Sequence, residues 1–506
     1  MHKKIRIALA ALLFVGITLL LLDISGTLHV WLGWMAKIQF LPAVLALNLA
    51  VIVGLLLLTL LFGRVYCSVI CPLGIWQDIV SNLSGRRKGK KSRFTASPER
   101  KWLRYGVWVL FVAALLAGVH VFVALLAPYS AWGRIVQNLF QPLYIWGNNL
   151  LAWIAERAGS YAFYPREVWL RSLPTFLIAL ATLVTVTVLA WKNGRTWCNT
   201  LCPVGTTLGF FSRFALFRPV LDLDVCVRCH HCEKNCKASC IDIDAGTIDH
   251  SRCVVCFDCV DSCPLGGLKY RFTWKRKASH AGPAPAQADQ TRRAFLVGGL
   301  MAGALSARAR STAAAAAEAD KKRDGGFADI VPKKEPVRTV PITPPGSLSV
   351  KEFYQHCTAC QLCVAQCPNN VLRPSTDLAH LMQPRMSFER GYCRPECVRC
   401  TEVCPAGALL PITPEEKTAW HVGVARLDYN LCLPFSLDQE CGNCARHCPA
   451  GAIRMVRKHP DDEHSLRIPT IVEERCIGCG ACENLCPARP ISAITIDGLA
   501  DGHKRD

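Results

Sequence analysis

The chain has 506 residues, 29 of them cysteine, and its 58 Lys and Arg outnumber 38 Asp and Glu. That length exceeds one compact domain and points to about three units. The cysteines cluster mostly as C-x2-C-x2-C-x3-C, which excludes a small disulfide-framed extracellular protein; the basic residues gather beside apolar segments, a topology signal that argues against a nucleic-acid partner.

Four apolar runs, residues 7–22, 40–62, 105–127 and 173–191, are long enough, or nearly so, to cross a bilayer, which takes about 20 residues. Lys3, Lys4 and Arg6 precede the first run. Between the second and third lie Arg86, Arg87, Lys88, Lys90, Lys91, Arg93, Arg100, Lys101 and Arg104. The positive-inside rule puts both stretches in the cytoplasm. Lys192, Arg195, Arg213 and Arg218 agree that the chain returns there after the fourth run. This reads as a multi-pass protein of the inner (plasma) membrane, with residues 128–171 outside and Trp132, Trp146, Trp153 and Trp169 as interfacial anchors.

GRVYCSVICPLG at 63–74 follows the second run, and GRTWCNTLCPVG at 194–205 follows the fourth. If helical, the i, i+4 spacing puts both thiols of a copy on one face, with Pro72 or Pro203 breaking the helix just beyond. The repetition suggests an internal duplication in which Cys67, Cys71, Cys198 and Cys202 converge across a pseudo-twofold axis. Four such thiols suffice for a further iron site or cluster, although a redox dithiol or simple packing stays open. His120, alone in the third run, is an isolated ionisable group within an apolar segment; it is a candidate proton acceptor beside quinol, with packing equally open.

Residues 225–264 hold two copies of a bacterial ferredoxin run, in which three closely spaced thiolates hold one cubane and the fourth cysteine reaches its neighbour. Cys226, Cys229, Cys232 and Cys263 are expected on one [4Fe–4S] cluster, and Cys253, Cys256, Cys259 and Cys236 on the next. Zinc sites need only four ligands, usually in separated pairs. Lys237 replaces the proline usual after the fourth cysteine, and Cys240 is a ninth thiol, either spare or a substitute for Cys236. Cys226-Val-Arg-Cys229-His230 has the form of a haem-attachment motif, but its cysteines are already claimed by the ferredoxin run.

A small-residue and proline linker at 278–290 leads to Thr291-Arg292-Arg293-Ala294-Phe295-Leu296, a weakly apolar stretch and an Ala-rich one. This has the form of a twin-arginine export signal inside the chain, cleaved or kept as an anchor, and it would place everything after it outside. That remainder carries four more runs. They are Cys357, Cys360, Cys363, Cys367; Cys393, Cys397, Cys400, Cys404; Cys432, Cys441, Cys444, Cys448; and Cys476, Cys479, Cys482, Cys486. They match four further cubanes, about six in all. Either adjacent runs exchange fourth ligands, or the first pairs with the last. AGALLPIT, AGAIRMV and ISAITI are expected to return as short strands or helices that shield the clusters.

The expected fold class is an α-helical membrane domain of four transmembrane helices plus small α+β bacterial-ferredoxin-like domains. The divisions are 1–220 (membrane), 221–275 (cytoplasmic two-cluster segment), 276–345 (linker and signal) and 346–506 (exported four-cluster domain). With its paired C-x3-C-P motifs and two-cluster segment, 1–275 resembles the NapH-type membrane ferredoxins, the membrane component of a quinol dehydrogenase. Residues 291–506 resemble the NapG/MauM-type exported polyferredoxins; these are usually separate subunits, and here they are fused. The resemblance implies oxidation of quinol from the membrane pool and electron delivery to a periplasmic acceptor, a reductase or a cytochrome. On it the chain is a quinol dehydrogenase component or else an electron-transfer subunit. The alternative is a membrane polyferredoxin that supplies electrons for maturation or regulation of a metalloenzyme. No nicotinamide, flavin or Walker fingerprint is evident.

Overall fold

The computed structural model describes residues 2–23, 26–87, 94, 99–273, 323–324, 328–329 and 331–504. The export-signal motif at 291–296 and the Ala-rich stretch after it lie outside the described residues.

The first half is helical. Its main helices are α1 (His2–Leu22), α2 (Leu49–Phe62), α3 (Pro72–Arg87), α4 (Lys101–Leu116), α5 (Pro128–Ile135), α6 (Gln141–Arg157), α7 (Leu173–Asn193) and α8 (Pro203–Ser212). α7 packs along α3 and α5, and α1 along α3, around buried Ile17, Leu20, Trp132, Ile135 and Val186. The outer faces are apolar too. Ile5, Leu9, Leu12 and Leu19 of α1 are exposed, as are Leu177, Leu180, Val184 and Val188 of α7. A helix apolar all round needs an apolar surrounding on its outer side as well.

Among the described residues, two helices are long and apolar enough to span a bilayer by length and composition, α1 and α7. The other two apolar runs are interrupted. The run at 40–62 breaks at Leu47, whose φ is 51°, into Phe40–Leu45 and α2; Asn48 then caps α2 by accepting the Val51 N–H at 3.3 Å. The run at 105–127 ends α4 at Gly118, with φ of 76°, and restarts as His120–Leu126. Both stops carry the reversed backbone hydrogen bonds of a helix terminus, Asn48 N–H to Ala43 and Val119 N–H to Ala114, each 2.8–2.9 Å. Hydropathy alone hides them, because the interrupting residues are themselves mostly apolar.

The first ferredoxin segment lies between β1 (Phe217–Leu221) and β2 (Leu268–Phe272), an antiparallel pair that clasps it at both ends. The second half contains the pairs β3 (Leu372–Pro374) with β4 (Pro384–Met386), β5 (Gly423–Leu427) with β8 (Ile494–Gly498), and β6 (Ile453–Arg457) with β7 (Arg467–Ile471). AGAIRMV and ISAITI thus do supply strands, β6 and β8. AGALLPIT is neither strand nor helix: Gly407 has φ of 69° and Pro411 offers no N–H to a ladder. Its Ala408 and Leu409 still cover Cys357, Cys363, Cys400 and Cys404.

The two cysteine-rich parts meet opposite ends of α1. Near its start, Lys3 pairs with Asp258 at 3.0 Å. Just past its end, the Asp23 carbonyl accepts from Gln366 Nε2 at 2.8 Å. At 1.5 Å per residue, a helix of 21 residues separates these contacts by about 30 Å.

Candidate metal centres

The ferredoxin runs curl for a backbone reason. In the regularly spaced runs the residues on both sides of the second cysteine have positive φ: Arg228 and His230, Val255 and Phe257, Ala359 and Gln361, Gly478 and Gly480. Left-handed residues on each side of a cysteine turn its neighbours inward, so that three thiols converge. Six of the eight are not glycine, and each costs on the order of 1 kcal/mol or more. Such strain persists where the surroundings fix it, typically at functional sites. Beside their second cysteines the two stretched runs do without this device: Val398 has φ of −118° and Gly442 is extended, and the longer gap turns at Asp438, with φ of 44°.

The convergence produces tetrads that mix two runs. Cys226, Cys229, Cys232 and Cys263 line a small cavity walled by Leu221, Ile243 and Leu268. Cys367 joins Cys393, Cys397 and Cys400 around a second, and Cys486 joins Cys432, Cys441 and Cys444 around a third. Cys236 lies within electrostatic reach of Cys256 and Cys259, Cys404 of Cys357, Cys360 and Cys363, and Cys448 of Cys476, Cys479 and Cys482. Every fourth cysteine therefore lies among the thiols of the adjacent run, the first of the two arrangements left open by the sequence. Among the described residues no three His, Cys, Asp or Glu side chains gather tightly enough for a single ion. Thiols ringed around a cavity suit a four-iron cage instead.

Cys240 also finds a place. Its Sγ lies 3.5 Å from that of Cys236 and bonds Cys253 as well. Donating to both neighbours keeps the Cys240 thiol protonated, and the same bond lowers Cys236 to about 6. Cys240 is thus a hydrogen-bond donor to two members of one tetrad.

The C-x3-C-P copies are related as the repetition suggested. Cys67 lies in the turn Tyr66–Ile70 and Cys198 in Thr196–Thr200. The second cysteine of each copy is extended, and Pro72 and Pro203 then open α3 and α8. The prolines start the next helix, where a missing N–H costs nothing, more than they break the previous one. The arginine of each copy crosses to the other: Arg195 Nη1 donates to the Cys67 carbonyl at 2.8 Å, and Arg64 Nη2 to the Cys198 carbonyl at 3.3 Å. Gly74 and Gly205 complete the motif, since a Cβ on either would collide with that same carbonyl. Each thiol feels the others electrostatically. Arg64 approaches Cys67 Sγ at 3.8 Å, Arg195 approaches Cys198 Sγ at 3.7 Å, and Gln77 Nε2 lies 3.3 Å from Cys198 Sγ. Four buried thiols beside two buried guanidiniums fit an anionic thiolate-bound group.

The residue behind this site is Asp78 on α3. Its carboxylate takes Arg6 at 2.8 Å, Arg195 at 2.8 Å and Lys237 at 2.9 Å, and Lys237 continues to Asp258 at 2.9 Å. The departure from the ferredoxin pattern at Lys237 is thereby explained: the side chain leaves the cluster loop and locks it to the C-x3-C-P site. Lys417 plays a similar part in the second half, donating to Cys393 Sγ at 3.2 Å and to the carbonyls of Arg394 and Cys397. Local sequence showed Lys237 only as a missing proline, and Asp78 and Lys417 not at all, because their partners are distant along the chain.

The second half adds an order to its tetrads. The Cys393 N–H donates to the Cys479 carbonyl at 2.9 Å, so the second run abuts the fourth. At the other end of the series, the Cys360 backbone packs on Gly133 of α5. His120 is buried with Nδ1 unpartnered and within electrostatic reach of His356, the residue before Cys357.

Runs that exchange fourth cysteines in adjacent pairs define a polyferredoxin. A family described as "4Fe-4S binding domain" matches residues 44–91 and again 173–221, the two C-x3-C-P copies. A "4Fe-4S dicluster domain" matches 439–489. The methylamine utilization ferredoxin-type protein MauM of Methylobacillus flagellatus is 34% identical over 165 residues, 32% of this chain and 70% of that one; MauM of Paracoccus denitrificans is 33% identical over 169 residues, 32% of this chain and 75% of that one. The ferredoxin-type protein NapG of Escherichia coli is 32% identical over 154 residues, covering 29% and 66%. No solved structure matches the chain. The chain belongs to the MauM/NapG family of ferredoxin-type proteins and is an iron–sulfur electron-transfer protein.

Proposed function

We propose that the chain is a membrane-bound conduit that takes electrons from quinol and passes them through [4Fe–4S] clusters to a periplasmic reductase or cytochrome. The observation that carries this reading is the seating of two cluster-binding parts at opposite ends of α1, about 30 Å apart, the thickness of a bilayer's hydrocarbon core. The exposed apolar faces of α1 and α7 support membrane insertion, with the interrupted α2 and α4 regions completing four crossings. In this reading each ferredoxin tetrad holds one cubane, six in all. Cys67, Cys71, Cys198 and Cys202 hold a further iron centre near the inner surface. The series from the first to the fourth exported run favours bulk electron flow over an occasional maturation event.

Anaerobic purification of the full chain, with iron and sulfide analysis and reduction by a soluble quinol, tests the reading. About six cubanes or more, reduced rapidly by quinol, is the expected result. A colourless protein, or clusters that dithionite reduces and quinol does not, would sink it.

A further inference from the structure

A cleft of about 580 Å³ lies between the outer loops of the helical half and the first exported run, within the range of about 300–1,000 Å³ usual for small-molecule sites. Its lining combines apolar Pro142, Ile145, Val168, Trp169 and Leu170 with polar Gln137, Asn138, Gln141 and Arg171. Cys367 and Pro368 line its exported side. Cys367 is the thiol that joins the Cys393, Cys397, Cys400 tetrad.

Three features point to the occupant. Gln141 is 3% exposed, and its side-chain amide, which has no hydrogen-bond partner among the described residues, lines the cleft, so a free donor and acceptor are offered to a ligand there. Beside it, α6 turns Leu143, Tyr144, Trp146, Leu150 and Trp153 outward, an apolar face on the very helix that opens the cleft. A lipid-dissolved molecule entering there would meet aromatic and polar side chains together. Cations complete the setting: Arg171 holds Gln137 at 2.9 Å, while Arg166 and Arg399 line the cleft. They favour an oxygen that gains negative charge as its proton leaves.

We propose that this cleft binds the quinol headgroup, ring against Trp169 and hydroxyls toward Gln141 and Asn138, within reach of the Cys367 tetrad. The assignment rests on the reading above that quinol is the donor. Oxidation breaks two O–H bonds and makes two C=O bonds. The two electrons leave one at a time into the exported clusters and on to the periplasmic acceptor protein. The two protons leave to outer water at the mouth, past the exposed carboxylate of Glu167, which Arg390 holds at 3.0 Å. His120 does not line this cleft.

The test uses the full-length, cluster-loaded protein and a photoreactive azidonaphthoquinone. Label is expected on peptides within 137–171 or 365–370. Gln141→Leu, which removes the free amide, and Ile145→Trp, which fills the cleft, should each cut labelling and raise the KM for menadiol by about tenfold or more, as for loss of a buried hydrogen bond. The cluster spectra after dithionite reduction should be unchanged in both, which shows the fold intact. If label falls elsewhere while menadiol still reduces wild type and both variants alike, the cleft assignment is wrong and the quinol reading stands. If menadiol reduces no cluster in wild type, the quinol reading fails and the cleft assignment with it.

Discussion

Lys237 occupies a position where proline is usual, and its ammonium is fully buried between two carboxylates. Burial alone would lower its pKa, yet Asp78 and the groups around it hold it well above the ordinary lysine range. Lys237→Met would strand Asp78 and Asp258, and breaking a buried ion pair from one side costs about 3–5 kcal/mol. It would also remove a cation that acts on Cys256, so the midpoint of the adjacent cluster should fall by on the order of tens of mV. Lys237→Arg should restore most of both. A redox titration followed by EPR, beside thermal unfolding, checks the pair of effects; an unmoved midpoint would confine the lysine to structure. His250 gives a pH signature. Burial and the nearby Arg218 lower it to about 4, so the folded protein resists a proton that the unfolded chain takes below about 6.5. Its contribution is complete above that pH and is lost as pH falls toward about 4. Unfolding curves of wild type and His250→Gln should therefore converge on alkalisation and diverge on acidification.

At the scale of elements, the cysteine runs and the duplicated C-x3-C-P motif were legible because their signals are local: spacing, a following proline, an adjacent apolar run. The pairing of runs was not, because it depends on which strands close around them. β5 precedes the third run and β8 follows the fourth, so their ladder encloses those two as a unit, as β1 and β2 enclose the two runs of the first ferredoxin segment. The resulting exchange makes a sharp prediction. Cys357→Ser and Cys404→Ser should erase the same cluster signal, although they lie in different runs, and Cys367→Ser should erase the signal also lost in Cys400→Ser. Cluster-by-cluster EPR of the four variants decides it, and a shared loss between Cys357 and Cys367 would refute the exchange. The crossed arginines were equally hidden, since Arg64 and Arg195 each look like local punctuation before an aromatic. Their exchange implies that Gly74→Ala and Gly205→Ala are equivalent lesions. Each pushes a methyl into the carbonyl of its own copy's first cysteine, where the other copy's arginine binds, and should cost about 1–3 kcal/mol or more, read as matched losses in unfolding temperature.

For the whole molecule, the seating of the second half is the strongest constraint on sidedness. Trp169 is clasped between Arg373 and Arg390, each guanidinium 4.7 Å from its ring. Asn138 bonds Gln361 at 3.1 Å, and Gln366 reaches Asp23. All these first-half partners lie at the end of the helices away from Lys3, Arg64 and Arg104, which hold the first ferredoxin segment through Asp258 and Ser251. If the basic flanks keep that segment in the cytoplasm, the second half must travel through the membrane to reach its seat, and the paired arginines at 292–293 are the feature able to send it. Replacing both (Arg292→Lys with Arg293→Lys) should strand residues 346–506 inside while leaving the first segment and its clusters in place. Protease added to intact spheroplasts should trim a C-terminal tag in wild type and spare it in the double variant, and opening the cells should expose it in both. A tag shielded in intact wild-type spheroplasts, or equally trimmed in the variant, would overturn export through this signal.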